Sequence, residues 1–311
     1  MGVIVNVKKA ACKKAAFFIA YNQHLKSYNV YIFEAVIKEQ IILSFVLLSG
    51  TMVYSYKKMF PDSANQLAST KQPAHILYQV NFEENNPFPS WLSTQTAAPY
   101  AIQIVETPVY DGKKAARFEL RDTDGENNNG TRSEIAFPGP DNTTTPERWY
   151  AFAVFFPRED FENDSNDEVI SQWHQGGKAT PALCIRTKAG RIKLRIKAGI
   201  DKKEWVDLGA IEKNAWQYYV IHVKHSPGTD GLVEIWRNGV QIVNHSGANM
   251  YDLIDGVFHT PNWKLGIYKA DWNGSGVTKT NKRVLYVDAI KVGDAYASFG
   301  DMQATETGKG H

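Results

Sequence analysis

At 311 residues the chain is long enough for one large domain or two small ones, and its ordinary globular composition excludes disorder across its bulk. A formal charge of +2 implies no nucleic-acid partner by itself, so where the charge sits matters more than its sum. The only cysteines are Cys12 and Cys184. If Cys12 leaves with an export segment, the remaining thiol excludes an intramolecular disulfide framework, and Cys184, in the apolar stretch Pro181-Ala182-Leu183-Cys184-Ile185, reads as a small buried hydrophobe.

The N-terminal region differs from the rest. Residues Ile41–Tyr56 form an uncharged, mostly apolar run bounded by Lys38-Glu39 and Lys57-Lys58. The run is shorter than the roughly 20 residues that span a bilayer but suits the core of a signal peptide. It lies far from Met1, so two readings stand beside a buried helix of the main domain. Translation starts downstream and the protein is secreted or periplasmic, or residues 41–56 anchor it to a membrane. The polar stretch Pro61–Pro73 reads as a linker. The expected organisation is an extension over 1–73, one β domain over 74–298 and a flexible tail over 299–311.

Beyond the linker, short β-type runs alternate with turn clusters such as Asp124-Gly125, Asn129-Gly130, Pro138-Gly139 and Asn238-Gly239. The runs predict strands over 76–82, 100–105, 116–120, 149–156, 168–173, 191–197, 216–224, 232–236, 263–268 and 284–292. No sustained 3.6-residue period follows residue 60. Many short strands at such spacing predict an all-β fold, a two-sheet antiparallel sandwich or jelly roll. In 191–197, Ile192, Leu194 and Ile196 point one way and Arg191, Lys193, Arg195 and Lys197 the other. In 216–224, Tyr218, Val220 and His222 share one face and Gln217, Tyr219, Ile221 and Val223 the opposite one. The basic strand reads alone as a solvated face, but with Arg186 and Lys188 it forms an acid-free stretch suited to a polyanion. No recognition helix or RNA-binding motif supports nucleic acid as that partner.

Three short motifs carry polar chemistry. In Asn129-Gly130-Thr131-Arg132-Ser133-Glu134-Ile135, Arg132 and Glu134 share a strand face, as a structural salt bridge or as a carboxylate holding a guanidinium toward an anionic substrate. In Ile170-Ser171-Gln172-Trp173-His174, Gln172 and His174 share one face and Trp173 takes the other, toward the core. In Trp263-Lys264-Leu265-Gly266-Ile267-Tyr268-Lys269, Lys264, Gly266 and Tyr268 share a face, and the glycine between them suggests open space for something to approach the backbone.

Arg-Ser-Glu-Ile, Gln-x-His and Lys-x-Gly-x-Tyr, in this order, resemble the signature strands of jelly-roll polysaccharide lyases. Heparin lyase I, glucuronan lyase and the jelly-roll alginate lyases share that arrangement, and the resemblance spans about Ile76 to Val292. It implies a concanavalin-like β-jelly roll that cleaves an acidic, uronate-containing polysaccharide by β-elimination, with no cofactor required. Arg132 and Gln172 would neutralise the uronate carboxylate. His174 would be the base or a neutralising donor, and Tyr268 would protonate the leaving oxygen or also take the proton. Lys264 would support Tyr268 or hold the substrate. Glu134 would help hold the substrate, and Arg191, Lys193, Arg195 and Lys197 would bind flanking sugars. Trp272, in a loop, is the expected sugar-stacking platform. The large basic insertion of heparin lyase I is missing, so glucuronan or alginate is favoured over a heparin-type polymer.

Two readings stand for Asp288, in the last strand: an outward strand residue, or a ligand of a structural calcium where it meets oxygens of Glu83-Glu84-Asn85-Asn86 after the first. His222, His225 and His259 have no metal-ligand spacing. The expected partner is the polysaccharide alone, with any membrane association confined to 41–56 and the protein a monomer. A glycoside hydrolase on the same fold would need two carboxylates across the scissile bond, and no strand presents acids spaced that way. A non-catalytic carbohydrate-binding module would have no need of the matched Gln, His, Lys and Tyr.

Overall fold

Alternation of apolar and polar residues gives strands such as Arg191–Lys197 one buried and one open face, central strands such as Glu168–His174 and Trp216–Lys224 are covered on both, and two sheets close on each other. The computed structural model describes residues 74–139, 146–177, 179–197, 203–273, 276 and 278–304, within a unit running from Lys71 to His311. The expected export segment at 41–56 and its linker lie outside the described residues. No helix among those residues is long and apolar enough to cross a membrane.

In chain order the strands are β1 Ile76–Val80, β2 Ser93–Thr96, β3 Ile102–Val105, β4 Ala115–Arg121, β5 Arg132–Ala136, β6 Glu147–Phe155, β7 Glu168–His174 and β8 Leu183–Lys188. They continue with β9 Arg191–Lys197, β10 Lys203–Ala210, β11 Trp216–Lys224, β12 Leu232–Arg237, β13 Val240–Ser246, β14 Asn262–Tyr268 and β15 Lys282–Gly293. One sheet has the order β13-β12-β11-β6-β15-β4-β3, with β1 also paired to β15; the second has the order β10-β9-β8-β7-β14-β5-β2. A 3-10 turn, Ala270–Trp272, follows β14. The all-β jelly roll expected from the sequence is what forms.

The core lies between the sheets. Ile192, Leu194 and Ile196 of β9 and Tyr219, Ile221 and Val223 of β11 point into it, as their alternation predicts. Trp173 and Trp263 are fully buried there; Trp263 stacks on Phe137 at 4.7 Å between ring centroids and Trp173 meets Tyr150 edge-on at 5.3 Å. Burying each such ring contributes about 1.5–3 kcal/mol, which fixes β7 and β14 side by side and so fixes what stands on their outer face. The sequence reading passed over the interior strand β8, of which it noted only the apolar stretch around Cys184, and β2, β10 and β13, edge strands with largely polar sequences and little inward-facing pattern to read.

The C-terminal boundary moves. Residues 299–304, expected to begin a flexible tail, pack on the outer face of the first sheet. Met302 is fully buried, Phe299 lies 5.0 Å from Trp236, and the Tyr218 hydroxyl donates to the Met302 carbonyl at 2.6 Å. Lys291 Nζ donates to the carbonyls of Asp301 and Gln303.

Candidate active site

The outer face of the second sheet gathers the three motifs, because β5, β14 and β7 are neighbours in it. Register sets them out as rungs: His174 beside Asn262, then Gln172 beside Lys264, then Glu134 beside Gly266, then Arg132 beside Tyr268. Opposed residues of an antiparallel pair project to the same side. Gln172 and Lys264 therefore stand between His174 at one end and Tyr268 at the other.

Glu134 is the hub. It is fully buried, and its carboxylate takes Arg132 Nη1 at 2.9 Å on one oxygen and Gln172 Nε2 at 2.5 Å on the other. It is buried between Arg132 and Gln172 and holds both, the Arg132 contact being the pairing that the sequence offered as one of its two readings. Arg132 also donates to the Asn128 carbonyl at 3.2 Å, and its buried Nε has no partner among the described residues. The Gln172 amide keeps a second hydrogen beyond the one given to Glu134.

The cation beside Tyr268 is Arg132, whose Cζ lies 4.5 Å from the ring centroid. Lys264 instead donates to Gln95 Oε1 on β2 at 3.0 Å. Burial pulls the Lys264 ammonium below the usual lysine range; Arg132 adds to this and Glu134 opposes it. Gly266 does not open space for a ligand. It has φ +139°, and a Cβ there would collide with the Ser133 carbonyl and the Glu134 backbone of β5. What approaches that glycine is the neighbouring strand.

His174 is half-buried. The main-chain N–H of Gly176 donates to its Nδ1 at 2.9 Å. An N–H can only donate, so Nδ1 is the acceptor and the neutral ring carries its proton on Nε2. Burial, with Lys264 and Arg132 nearby, pushes the imidazole down to about 4, against a smaller opposing effect of the Ala179 carbonyl. The other ring nitrogen, Nε2, therefore carries an N–H rather than a lone pair, with the Ala179 carbonyl as a neighbouring acceptor. Gln175, the next residue, is bonded to Tyr251 N, Tyr251 O and His259 O, tying the 251–259 loop to this end of the site.

Tyr268 ends β14, and the chain beyond it is anchored internally. Lys269 is fully buried, 2.8 Å from Glu168 and 3.3 Å from Asp164, while Arg283 holds the other Glu168 oxygen at 2.6 Å. Trp272, expected as an exposed platform, is only 2 % exposed. Its indole N–H donates to Thr278 Oγ1 at 2.8 Å and Lys269 Nζ lies 5.4 Å from its centroid. The turn that hides Trp272 brings Asn273 to Tyr268. Asn273 Nδ2 donates to the phenol oxygen at 3.2 Å and Asn273 Oδ1 accepts the Thr131 N–H at 2.7 Å. Asn273, Gln95 and Gln175 were not singled out from the sequence, where isolated amides carry no pattern.

The basic strand β9 extends the same face. Arg191 is paired with Asp207 at 2.6 Å, and Arg186 of β8 with Asp167 at 2.5 Å. Lys193, Arg195 and Lys197 form no salt bridge among the described residues; Arg195 donates to the Pro181 carbonyl at 2.7 Å and Lys197 Nζ lies 5.8 Å from the Tyr251 centroid. Cys184, fully buried, lies in register between Gln172 and Arg195 and forms floor rather than wall.

Asp288 lies apart from this face. Its buried carboxylate accepts main-chain N–H groups from Tyr110, Asp111 and Ala289 at 2.7–2.9 Å, and burial raises it to about 6 despite them. Glu83 takes the N–H groups of Lys113 and Lys114 in the same loop. Oxygens turned toward N–H donors fit a clamp on the loop and not, as arranged, a calcium ion.

With this geometry in place, the sequence profile described as "Polysaccharide lyase" matches residues 69–291, well over half of the chain. The chain belongs to the polysaccharide lyase family. No curated protein matches it in sequence. Among solved structures, this lyase resembles the endo-β-1,4-glucuronan lyase of the fungus Trichoderma reesei, with a TM-score of 0.58 and 18 % identity over 73 % of this chain and 98 % of the other. It also resembles the catalytic domain of a glycoside hydrolase family 131 protein from Coprinopsis cinerea, with a TM-score of 0.52 and 10 % identity over 76 % of this chain and all of the other. At such identities the likenesses speak to the fold alone.

Proposed function

We propose that this lyase cleaves a uronate polymer by β-elimination, and that the sugar it cleaves carries its C5 proton and O4 on the same face of the ring. Glucuronan and the mannuronate stretches of alginate meet that condition. The observation that carries the reading is the Gly176 N–H on His174 Nδ1. A base at Nε2 of His174 would need the opposite tautomer, which would set two hydrogens against each other at Nδ1. Tyr268 then remains to take the C5 proton. Its phenolate oxygen takes that proton while the C–H electron pair forms the C4=C5 double bond and the C4–O4 bond breaks, and the phenol so formed gives the proton to O4, leaving the phenolate again. One group serves both ends only when proton and leaving oxygen share a face.

The carboxylate of the cleaved sugar would sit between His174 and Tyr268, over Gln172 and Arg132, where donors held by Glu134 meet the charge that builds up as the proton leaves. Arg132 above the Tyr268 ring and the Asn273 amide on its oxygen are placed to stabilise negative charge passing through that oxygen. Hydrolysis on this face would need two carboxylates free to act across the bond. Glu134 is buried between two donors, and Asp167 and Asp207 are paired with arginines. The lyase would act outside the cytoplasm as a monomer, where such polymers occur.

The test is ultraviolet absorbance of the purified protein with glucuronan, mannuronate-rich and guluronate-rich alginate, heparin and hyaluronan, beside Tyr268→Phe. The expected result is a rise from the conjugated double bond on glucuronan or mannuronate-rich alginate, abolished in the variant. New reducing ends without absorbance would turn the case to a hydrolase. A rise on guluronate alone would return the base to His174.

A further inference from the structure

Three strands from Gln172, on the same face, an indole stands in solvent. Trp205 of β10 is 41 % exposed, although large apolar side chains on an edge strand invite unwanted pairing and are usually avoided there. Register connects it to the catalytic rungs. Gln172 is opposite Cys184, Cys184 opposite Arg195, and Arg195 opposite Trp205, so all four project to the same side. Cys184, small and fully buried, lies beneath the Arg186 guanidinium, whose Nη1 is 3.9 Å from its Sγ.

We propose that Trp205, with Arg195 and Lys193 beside it, forms a distal subsite that stacks one further uronate ring of the polymer whose cleavage is proposed above, on which reading this inference rests. Three strand spacings of about 4.8 Å place the indole roughly 14 Å from the Gln172 rung, about the reach of three linked pyranose rings. An indole face suits the C–H face of a pyranose, and the neighbouring cations suit its carboxylate. Around Trp205 the charge is complementary to a polyanion. Lys203 Nζ lies 5.2 Å from its centroid, Lys193 carries no salt bridge among the described residues, and Asp207, opposite Lys193, is held by Arg191. The buried Nε of Arg195 has no partner among the described residues, while its Nη2 is fixed on the Pro181 carbonyl. Arg195 is thus a cation held in place opposite Trp205.

The experiment compares wild type, Trp205→Ala and Trp205→Tyr as full-length proteins, on whichever of polymeric glucuronan and mannuronate-rich alginate is cleaved and on its trisaccharide, which has at most two rings on the β10 side of the cleaved bond and so does not reach Trp205. The preference for polymer over trisaccharide in kcat/KM falls about three- to tenfold in Trp205→Ala and returns in Trp205→Tyr. A folding defect would lower both rates together and leave the ratio alone. An unchanged ratio in Trp205→Ala overturns the subsite and leaves the lyase reading intact. If the wild type forms no unsaturated product, the reading of the activity falls, and affinity electrophoresis through each polymer decides the subsite by itself. Retardation lost in Trp205→Ala supports it; equal retardation of both proteins, or none of the wild type, overturns it.

Discussion

The guanidinium of Arg132 lies over the ring of Tyr268, and Gly130 is the residue that leaves room for the pair. A Cβ on Gly130 would come within 2.6 Å of Tyr268 Cε2 and 2.7 Å of Arg132 Nη2. Gly130→Ala must therefore shift the phenol, the guanidinium or both, while the Asn127–Gly130 turn and the core below are untouched. The expected outcome is a fall in kcat of about tenfold or more with a change of only a few degrees in Tm. Steady-state absorbance and calorimetry on the same preparation measure it, and an unchanged kcat would remove Tyr268 from the reaction centre.

Glu134 should behave as structure and activity at once. Glu134→Ala leaves Arg132 charged and nearly buried without its partner, and frees the Gln172 amide from its acceptor. Breaking a buried ion pair from one side costs about 3–5 kcal/mol, read by urea denaturation, and KM should rise because neither donor is aimed. A loss below about 1 kcal/mol would mean that water enters the site freely and that Glu134 is not the hub.

Trp272 separates the two readings of its position. As a packed side chain beside Lys269, its replacement by alanine should cost about 3–5 kcal/mol and lower kcat by releasing the Asn273 contact to Tyr268. As an exposed sugar platform it would raise KM and leave stability alone. Denaturation curves for Trp272→Ala distinguish these directly.

The sequence makes the sandwich and the shared face legible because period-two alternation states which side each residue takes. Arg132 with Glu134, Gln172 with His174, and Tyr268 fall where that alternation puts them. What alternation does not carry is depth and contact. The Arg132–Glu134 pair was legible two residues apart, but the second donor on Glu134, Gln172, lies on another strand, and Trp272 is drawn inward over the buried Lys269 ammonium. Gly266 signalled a close approach correctly, but the approaching group is the β5 backbone, which only strand order reveals. Trp205 escaped notice because β10 is a polar edge strand, and its meaning comes from the register that lines it up with Gln172.

The pH dependence follows from His174. An exposed histidine titrates near 6.5, and burial with two nearby cations brings this one to about 4. Between those values the unfolded chain holds a proton that the native protein does not, so stability rises with pH across the window. The contribution is whole above about 6.5 and is lost as the pH falls toward 4. His225, buried and pushed down to about 3, adds an effect of the same sign that extends lower. Activity should behave differently from that of an enzyme using an ordinary histidine base. His174 stays neutral at pH 5.5, so kcat/KM shows no acid limb near 6.5, and the His174 ring signals in NMR hold their neutral positions to about pH 5. An acid limb at 6.5 that disappears in His174→Asn would show that the ring titrates as a base in the working enzyme, and would overturn its assignment as a neutral donor.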